Sequence, residues 1–335
     1  MGSRIKYRYE YTKGLIGSKW HGLVYVIDII NACPLRCPTC AVGVYTKQRG
    51  GKKMSLDMWK AILDKAQGES KIRKLQMYIY SDPCLHPQCD EFVAEATRRG
   101  LKTSISTMLQ QTNVDFHKLI EARPSEFRIS FAGWKNMSMY QRGGTVERFE
   151  KKLAMVSQLP RYPETRWTMF FHLYRSNQDE VAAARQMAAD HGIDFIAYPA
   201  IFMINEKVVE KTYTDDDRAI ISELLETPEE NIARLKIDTD YCMMQSKQVC
   251  IDAEGMCYLC QIVWEDRFRI VPFLSTPLKE IRQKMESHSF CVKCKSQGGH
   301  TYQYLYGDST EVEDPITTAD HKRYEIGTGK QAEIL

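Results

Sequence analysis

Eleven cysteines in 335 residues are the chemically distinctive feature of this chain. Nine of them fall in three tight groups: Cys33, Cys37 and Cys40; Cys242, Cys250, Cys257 and Cys260; Cys291 and Cys294. Core cysteines without a role scatter along a sequence, so the grouping points to metal ligation or reactive thiols. In Cys33-Pro34-Leu35-Arg36-Cys37-Pro38-Thr39-Cys40, three thiolates share one short loop that two prolines stiffen. Three thiolates underfill a four-iron cubane and leave one iron open to bind and activate a ligand. A zinc site completed by His21 or a remote cysteine would use the same donors. These eight residues alone do not choose between the two metals.

The loop needs a scaffold, and the surrounding pattern supplies one. Strand-like apolar runs at Leu23–Ile30, Lys74–Tyr80, Lys102–Thr107, Phe127–Phe131, Arg166–Leu173 and Asp194–Tyr198 alternate with stretches of helical spacing. Those stretches are Ser55–Gln67, Gln88–Arg99, Asp115–Ala122, Thr145–Leu159 and Gln178–Asp190, with Gly100 and Gly192 as helix-ending glycines. The alternation predicts βαβ units on a parallel sheet, either doubly wound or an incomplete α/β barrel. Both place the active site at the carboxyl ends of the strands. Asn31–Cys40, Ser81–His86 and Ser130–Trp134 fall there, after the first, second and fourth strands.

Residues 1–20 form an N-terminal extension and 21–200 the repeat. A helical connector follows over 201–240, with helix starts at Thr214 and at Thr227-Pro228-Glu229. A cysteine-rich region over 241–295 turns as a hairpin at Asp252–Gly255, and a polar, irregular tail covers 296–335. Hydrophobic content of 43%, charged content of 27% and a formal net charge of +3 describe an ordinary globular protein, with no pointer to nucleic acid or membrane. Residues 1–19 lack the apolar core of a signal peptide, and Asp28 interrupts an apolar run already too short to span a bilayer. The expected location is the cytoplasm, where reducing conditions again favour ligands over disulfides.

A Cys-x3-Cys-x2-Cys loop after the first strand of a six-fold β/α repeat resembles the signature of the radical S-adenosylmethionine (SAM) superfamily. The resemblance implies an α/β fold, a partial (β/α)6 TIM-like barrel, with a [4Fe–4S] cluster on Cys33, Cys37 and Cys40. The open iron of that cluster chelates SAM. One electron, from an external donor such as flavodoxin or ferredoxin, cleaves SAM to methionine and a 5′-deoxyadenosyl radical that abstracts a substrate hydrogen. Tyr80-Ser81-Asp82-Pro83, followed by Leu85-His86-Pro87, is similar to the family's Gly-Gly-Glu-Pro segment, which implies that Ser81 and Asp82 lie at the SAM amino group. Ser130 matches the serine at the ribose and Arg142 the arginine at the SAM carboxylate, which a guanidinium grips in bidentate fashion. Thr39 replaces the aromatic residue often found before the last cysteine, which moves the expected adenine wall to Ile196 and Tyr198.

Twelve residues separate Cys242 from Gly255 and four more precede Cys260, with Cys291-x2-Cys294 beyond. This resembles the twitch form of the SPASM extension, a small cysteine-rich β-hairpin/helix domain. It implies an auxiliary [4Fe–4S] cluster on Cys242, Cys260, Cys291 and Cys294. The competing arrangement is a zinc ribbon on Cys257, Cys260, Cys291 and Cys294.

Cys84 and Cys89 flank the loop expected at SAM, and a thiol at Cys84 would return a hydrogen atom to a substrate radical, as an epimerase requires. Tyr78, Tyr80, Trp134, Tyr140, His172, Tyr174 and Arg175 stand near strand ends as candidate pocket residues. With the barrel expected to start near residue 20, no N-terminal leader-recognition domain is expected. The expected substrate is therefore a small polar molecule such as a sugar or nucleotide derivative, undergoing dehydrogenation, epimerisation or rearrangement. The alternatives are modification of a ribosomally made peptide and, in another class, a zinc-stabilised α/β binding protein without catalysis.

Overall fold

The computed structural model describes residues 22–45, 50–235 and 242–302; the N-terminal extension and the tail beyond 302 lie outside the described residues. Six strands recur through the first two-thirds of the chain: β1 (Leu23–Ile27), β2 (Ile72–Gln76), β3 (Thr103–Thr107), β4 (Glu126–Phe131), β5 (Arg166–Leu173) and β6 (Asp194–Pro199). All pair in parallel with their sequence neighbours, in the order of an open, partial barrel. The near-continuous burial of β1, β3, β4 and β5 is what helices on the outer face and a closed interior demand of a parallel sheet. The helices between them are α1 (Ala41–Val44), α2 (Leu56–Glu69), α3 (Cys89–Arg98), α4 (Phe116–Glu121), α5 (Met137–Tyr140), α6 (Val146–Val156) and α7 (Val181–Asp190).

Local chemistry explains these boundaries. Ser55 Oγ caps α2 by accepting from Met58 N at 3.1 Å, and Trp59, Ile62, Leu63 and Ala66 form its buried stripe. Thr145 caps α6 in the same way through Arg148 N, with Phe149, Leu153 and Val156 turned inward. The connector contains α8 (Asn205–Glu210), α9 (Asp215–Ser222) and α10 (Pro228–Leu235), and α9 starts on a capping box between Thr214 and Asp217.

Two expectations change. The second strand covers Ile72–Gln76 instead of 74–80, because residues after Gln76 leave the ladder. Asp28, 1% exposed just beyond β1, draws that segment away by accepting from Ile79 N at 2.7 Å, from Tyr80 N at 3.4 Å and from the Ser81 hydroxyl. The tail, in turn, begins packed: Thr301 and Tyr302 are buried, and the Tyr302 hydroxyl accepts from Phe202 N at 2.8 Å.

The cysteine-rich region comprises α11 (Met243–Lys247), β7 (Gln248–Ile251), β8 (Met256–Tyr258), β9 (Arg269–Pro272), α12 (Leu278–Ser287) and α13 (Ser289–Ser296). β7 and β8 form the expected antiparallel hairpin, with Gly255 at φ +79° in its turn. β7 also pairs in parallel with β1, so the hairpin extends the barrel sheet at that edge. This junction carries the C-terminal cysteines to the flank of the Cys33–Cys40 loop. No helix among the described residues is long and apolar enough to cross a membrane.

Candidate functional site

No disulfide joins any of the eleven cysteines. Cys33, Cys37 and Cys40 line one end of a cavity of about 210 Å³ at the carboxyl ends of the barrel strands. The loop carrying them is tight: Cys40 N donates to Cys37 O at 3.1 Å, and Gly43 packs so closely that a Cβ there would stand 2.0 Å from Cys37 O. Gly43 is thus part of the loop's construction, although its only mark in the sequence is proximity to the last cysteine. Burial raises the Cys33 and Cys37 thiols well above the usual range, and each is raised further by a neighbouring cysteine. Burial brings Cys40 to about 11. Three thiols on one loop that resist ionisation together are a donor set that a cationic iron–sulfur core would stabilise as thiolates.

Inward-facing residues of β2 to β6 and the segments after them form the rest of the wall: Gln76, Tyr78, Ser106, Arg128, Ser130, Phe170, His172 and Tyr198. The Arg128 guanidinium donates to the Tyr78 hydroxyl at 2.6 Å, pairs with Glu126 at 2.9 Å and lies 4.2 Å from the Phe170 ring centre. Burial alone would raise Glu126, but Arg128 and Lys74 hold it down at about 2. Burial lowers His172 to about 4, so it is a neutral ring beside the Tyr198 hydroxyl, 3.2 Å away. Tyr140 and Tyr174 stack in parallel at 3.5 Å and close the side toward Thr39. The connector completes that wall, with Met203 N donating to Thr39 O at 2.8 Å and Tyr80 bonded to Met203 O.

Of the residues expected at SAM, Ser81, Ser130 and Tyr198 line this cavity. Asp82 does not. It is fully buried behind the loop, where it accepts from Cys84 N at 3.0 Å, Thr107 Oγ1 at 3.0 Å and the Gln111 amide, and burial raises it to about 6. The carboxylate that organises the cavity face of the segment is Asp28, a residue read from the sequence only as an interruption of an apolar run. Arg142 is exposed and lies outside the lining, and its neighbour Gln141 takes the inward place. Gln141 donates to Ser130 O at 3.3 Å, while its Oε1 is buried without a hydrogen-bond partner and so keeps an acceptor for a bound ligand. Ile196 is buried in the barrel below the cavity wall that Tyr198 joins. Cys84 packs in the core beside Cys89 and Asp82, away from the cavity, which removes the geometric basis for a hydrogen donor there. Tyr78, Tyr80, Tyr140, His172 and Tyr174 line the cavity as expected of strand-end residues, whereas Trp134 and Arg175 do not.

A second, smaller cavity of about 30 Å³ is lined by Cys242, Cys260, Cys291 and Cys294, together with Asn205, Met244, Lys295 and His300. Four thiol donors around one space fit tetrathiolate ligation of a cluster. Burial raises Cys260 well above its usual range and brings Cys291 and Cys294 to about 12. The thiols raise one another further, while Lys295 opposes the shift at Cys291 and Cys294. Cys257 lies in the main core near Asp252 and Lys65 and does not reach this space. The thiols are spread around the cavity: among the described residues no three His, Cys, Asp or Glu side chains are gathered tightly enough for one metal ion. Ile262 lines both cavities, and Gln261 bridges them by accepting from Gln76 at 3.3 Å and donating to Met244 Sδ at 3.4 Å.

An open parallel barrel carrying a Cys-x3-Cys-x2-Cys loop at the mouth of its cavity is the arrangement that the radical SAM resemblance implies, and the four thiols of the C-terminal region fit an auxiliary cluster. The chain is similar to the PqqA peptide cyclase of Bradyrhizobium diazoefficiens, at 27% identity over 174 residues, or 51% of this chain and 44% of the relative. The chain thus spans less than half the length of that relative. Among solved structures it resembles Streptococcus suis SuiB bound to precursor peptide SuiA, with a TM-score of 0.56 and 13% identity over 87% of this chain and 74% of the other. It also resembles native anSMEcpe with bound AdoMet, with a TM-score of 0.52 and 13% identity over 80% and 82%. At such identity the structures carry the fold alone. No family model matches the chain.

Proposed function

We propose that this chain is a radical SAM enzyme that modifies a peptide. The observation that carries the catalytic part is the convergence of Cys33, Cys37 and Cys40 on the mouth of the barrel cavity. Cys33, Cys37 and Cys40 would hold a [4Fe–4S] cluster, which would supply an open iron for SAM and the electron for its cleavage. The chain's own contribution is positional. Asp28 holds Ile79, Tyr80 and Ser81 at the rim, and Ser81, Ser130 and Gln141 offer polar groups to the bound cofactor. The stacked Tyr140–Tyr174 pair and the connector exclude water from one side. Arg128, His172 and Tyr198 lie deeper, where the reacting part of a substrate would rest. Cys242, Cys260, Cys291 and Cys294 would hold the auxiliary cluster, and an external protein would deliver the electron.

The peptide reading replaces the small polar substrate expected from the sequence. Its support is the similarity to a protein named as a peptide cyclase and a fold shared with an enzyme bound to its precursor peptide. The small-molecule expectation rested on where the barrel begins, which says nothing about a leader-binding partner supplied separately.

Anaerobic reconstitution tests the reading. The expected result is about eight irons per chain, as two four-iron clusters require, and formation of 5′-deoxyadenosine from SAM with dithionite, abolished in Cys37→Ala. Short peptides encoded beside the gene are then the substrates to assay by mass spectrometry. Zinc in place of iron, with no SAM cleavage, would overturn the assignment in favour of a binding protein. Turnover of a sugar or nucleotide but of no peptide would overturn the substrate class.

A further inference from the structure

Asn205 is 1% exposed, yet it carries a primary amide into the thiol-lined second cavity. Its backbone N–H donates to Ile262 O at 3.0 Å, which ties the start of α8 to the turn just beyond Cys260. Its side-chain Nδ2 donates to Cys294 Sγ at 3.4 Å. Its Oδ1 is buried without a hydrogen-bond partner. A buried amide that leaves its oxygen unsatisfied forgoes a hydrogen bond it would make in water, so the place of this residue asks for a compensating role. Cys294 is also closely fenced: Gly299 N donates to Cys294 O at 2.9 Å, and a Cβ on Gly299 would lie 3.1 Å from Sγ. The sulfur therefore has little freedom to turn away from the amide. The amide orientation follows from charge, since the alternative would point a carbonyl oxygen at a thiolate.

From this geometry we infer that Asn205 is a positioning residue that sets the reduction potential of the auxiliary cluster by donating to the Cys294 thiolate. The inference rests on the proposed ligation by Cys242, Cys260, Cys291 and Cys294. Hydrogen bonds to cluster sulfurs favour the reduced, more negative state and raise the potential. The donor comes from the connector beside the barrel and not from the cysteine-rich region itself. The potential is thereby coupled to how α8 seats against Cys260.

The test uses the full chain with Cys33, Cys37 and Cys40 changed to Ala, so that only the auxiliary cluster remains. Iron content and an EPR-monitored redox titration are measured for this parent and for the same chain carrying Asn205→Leu or Asn205→Asp. A hydrogen bond to a charged group corresponds to about a tenfold change in an equilibrium. The Leu variant should therefore shift its midpoint by about −59 mV for one electron, with about four irons retained. The isosteric Asp variant, which sets a carboxylate against the thiolate, should shift at least as far in the same direction. Both variants holding their irons at an unchanged midpoint would overturn the inference. Loss of iron in both, with the parent loaded, would overturn it in favour of a purely structural role. If Leu alone loses iron, the Asp variant carries the test. A parent that binds no iron would instead overturn the ligand assignment, and the inference with it.

Discussion

Replacing Asp28 by alanine should loosen the rim of the barrel cavity. The carboxylate accepts from Ile79 N at 2.7 Å, from Tyr80 N at 3.4 Å and from the Ser81 hydroxyl. Ser81 lines the cavity, so its hydroxyl can turn to water there and costs little. The two backbone N–H groups cannot, since a methyl offers no acceptor in the space that Asp28 vacates. A stranded buried donor costs about 1–3 kcal/mol, and the longer bond lies at the weak end of that range. The sum is about 2–4 kcal/mol. Asp28→Asn keeps one oxygen, enough for Ile79 N, and should cost about 1 kcal/mol. Urea unfolding of the metal-free, reduced proteins reads both values from the midpoints at constant slope. An Asp28→Ala variant within about 0.5 kcal/mol of the parent would refute the accounting. A cost for Asn equal to that for Ala would show that charge, and not the accepted bonds, is what the site uses.

Further outcomes follow from the same geometry. Cys242→Ala should drop the reconstituted protein from about eight irons to about four, while Cys257→Ser, whose thiol is packed in the main core, should keep all of them. Iron and zinc analysis of the two variants decides the ligand set. Burial pushes Glu206 up to about 7, although its Oε1 accepts from Trp264 N at 3.1 Å. A carboxyl whose folded value exceeds its unfolded one stabilises the fold fully below the unfolded value of about 4.5. That contribution is lost as pH rises through about 7. Stability should thus fall by roughly 3 kcal/mol across that window, and Glu206→Gln should flatten the profile when denaturation midpoints are compared at pH 5 and pH 8. A profile unchanged by the substitution would refute the assignment of the slope to Glu206.

The order and type of the elements in the repeat were largely legible in the sequence, because they rest on local chemistry. Apolar strand runs and period-3.6 helix faces, the caps at Ser55, Thr145 and Thr214, and the turn glycine Gly255 each act within a few residues of themselves. The Cys33–Cys40 loop is equally local, so its place after β1 followed directly from its spacing. Which side chain faces which space did not. Asp82 and Asp28 are both carboxylates near one rim, and only the packing of β1 against the segment after β2 turns Asp28 to the backbone amides and buries Asp82 behind Thr107. Arg142 and Gln141 are adjacent in sequence, and the path of the chain after α5 puts the amide inward and the guanidinium in solvent. Cys242 and Cys257 suit the same spacing rules, yet the fold brings Cys242 to the thiol cavity and commits Cys257 to the core.

The sequence by itself determined that three thiols would share one loop at the end of the first strand of a β/α repeat, and that a cysteine-rich hairpin would follow. Only the tertiary structure decided that β7 joins β1, that Gln261 and Ile262 form the wall between two thiol-lined cavities, and that Asn205 reaches Cys294. The physical reason is range. Motif spacing records contacts made along the chain, whereas the direction of a side chain at a strand end is settled by elements dozens to hundreds of residues away.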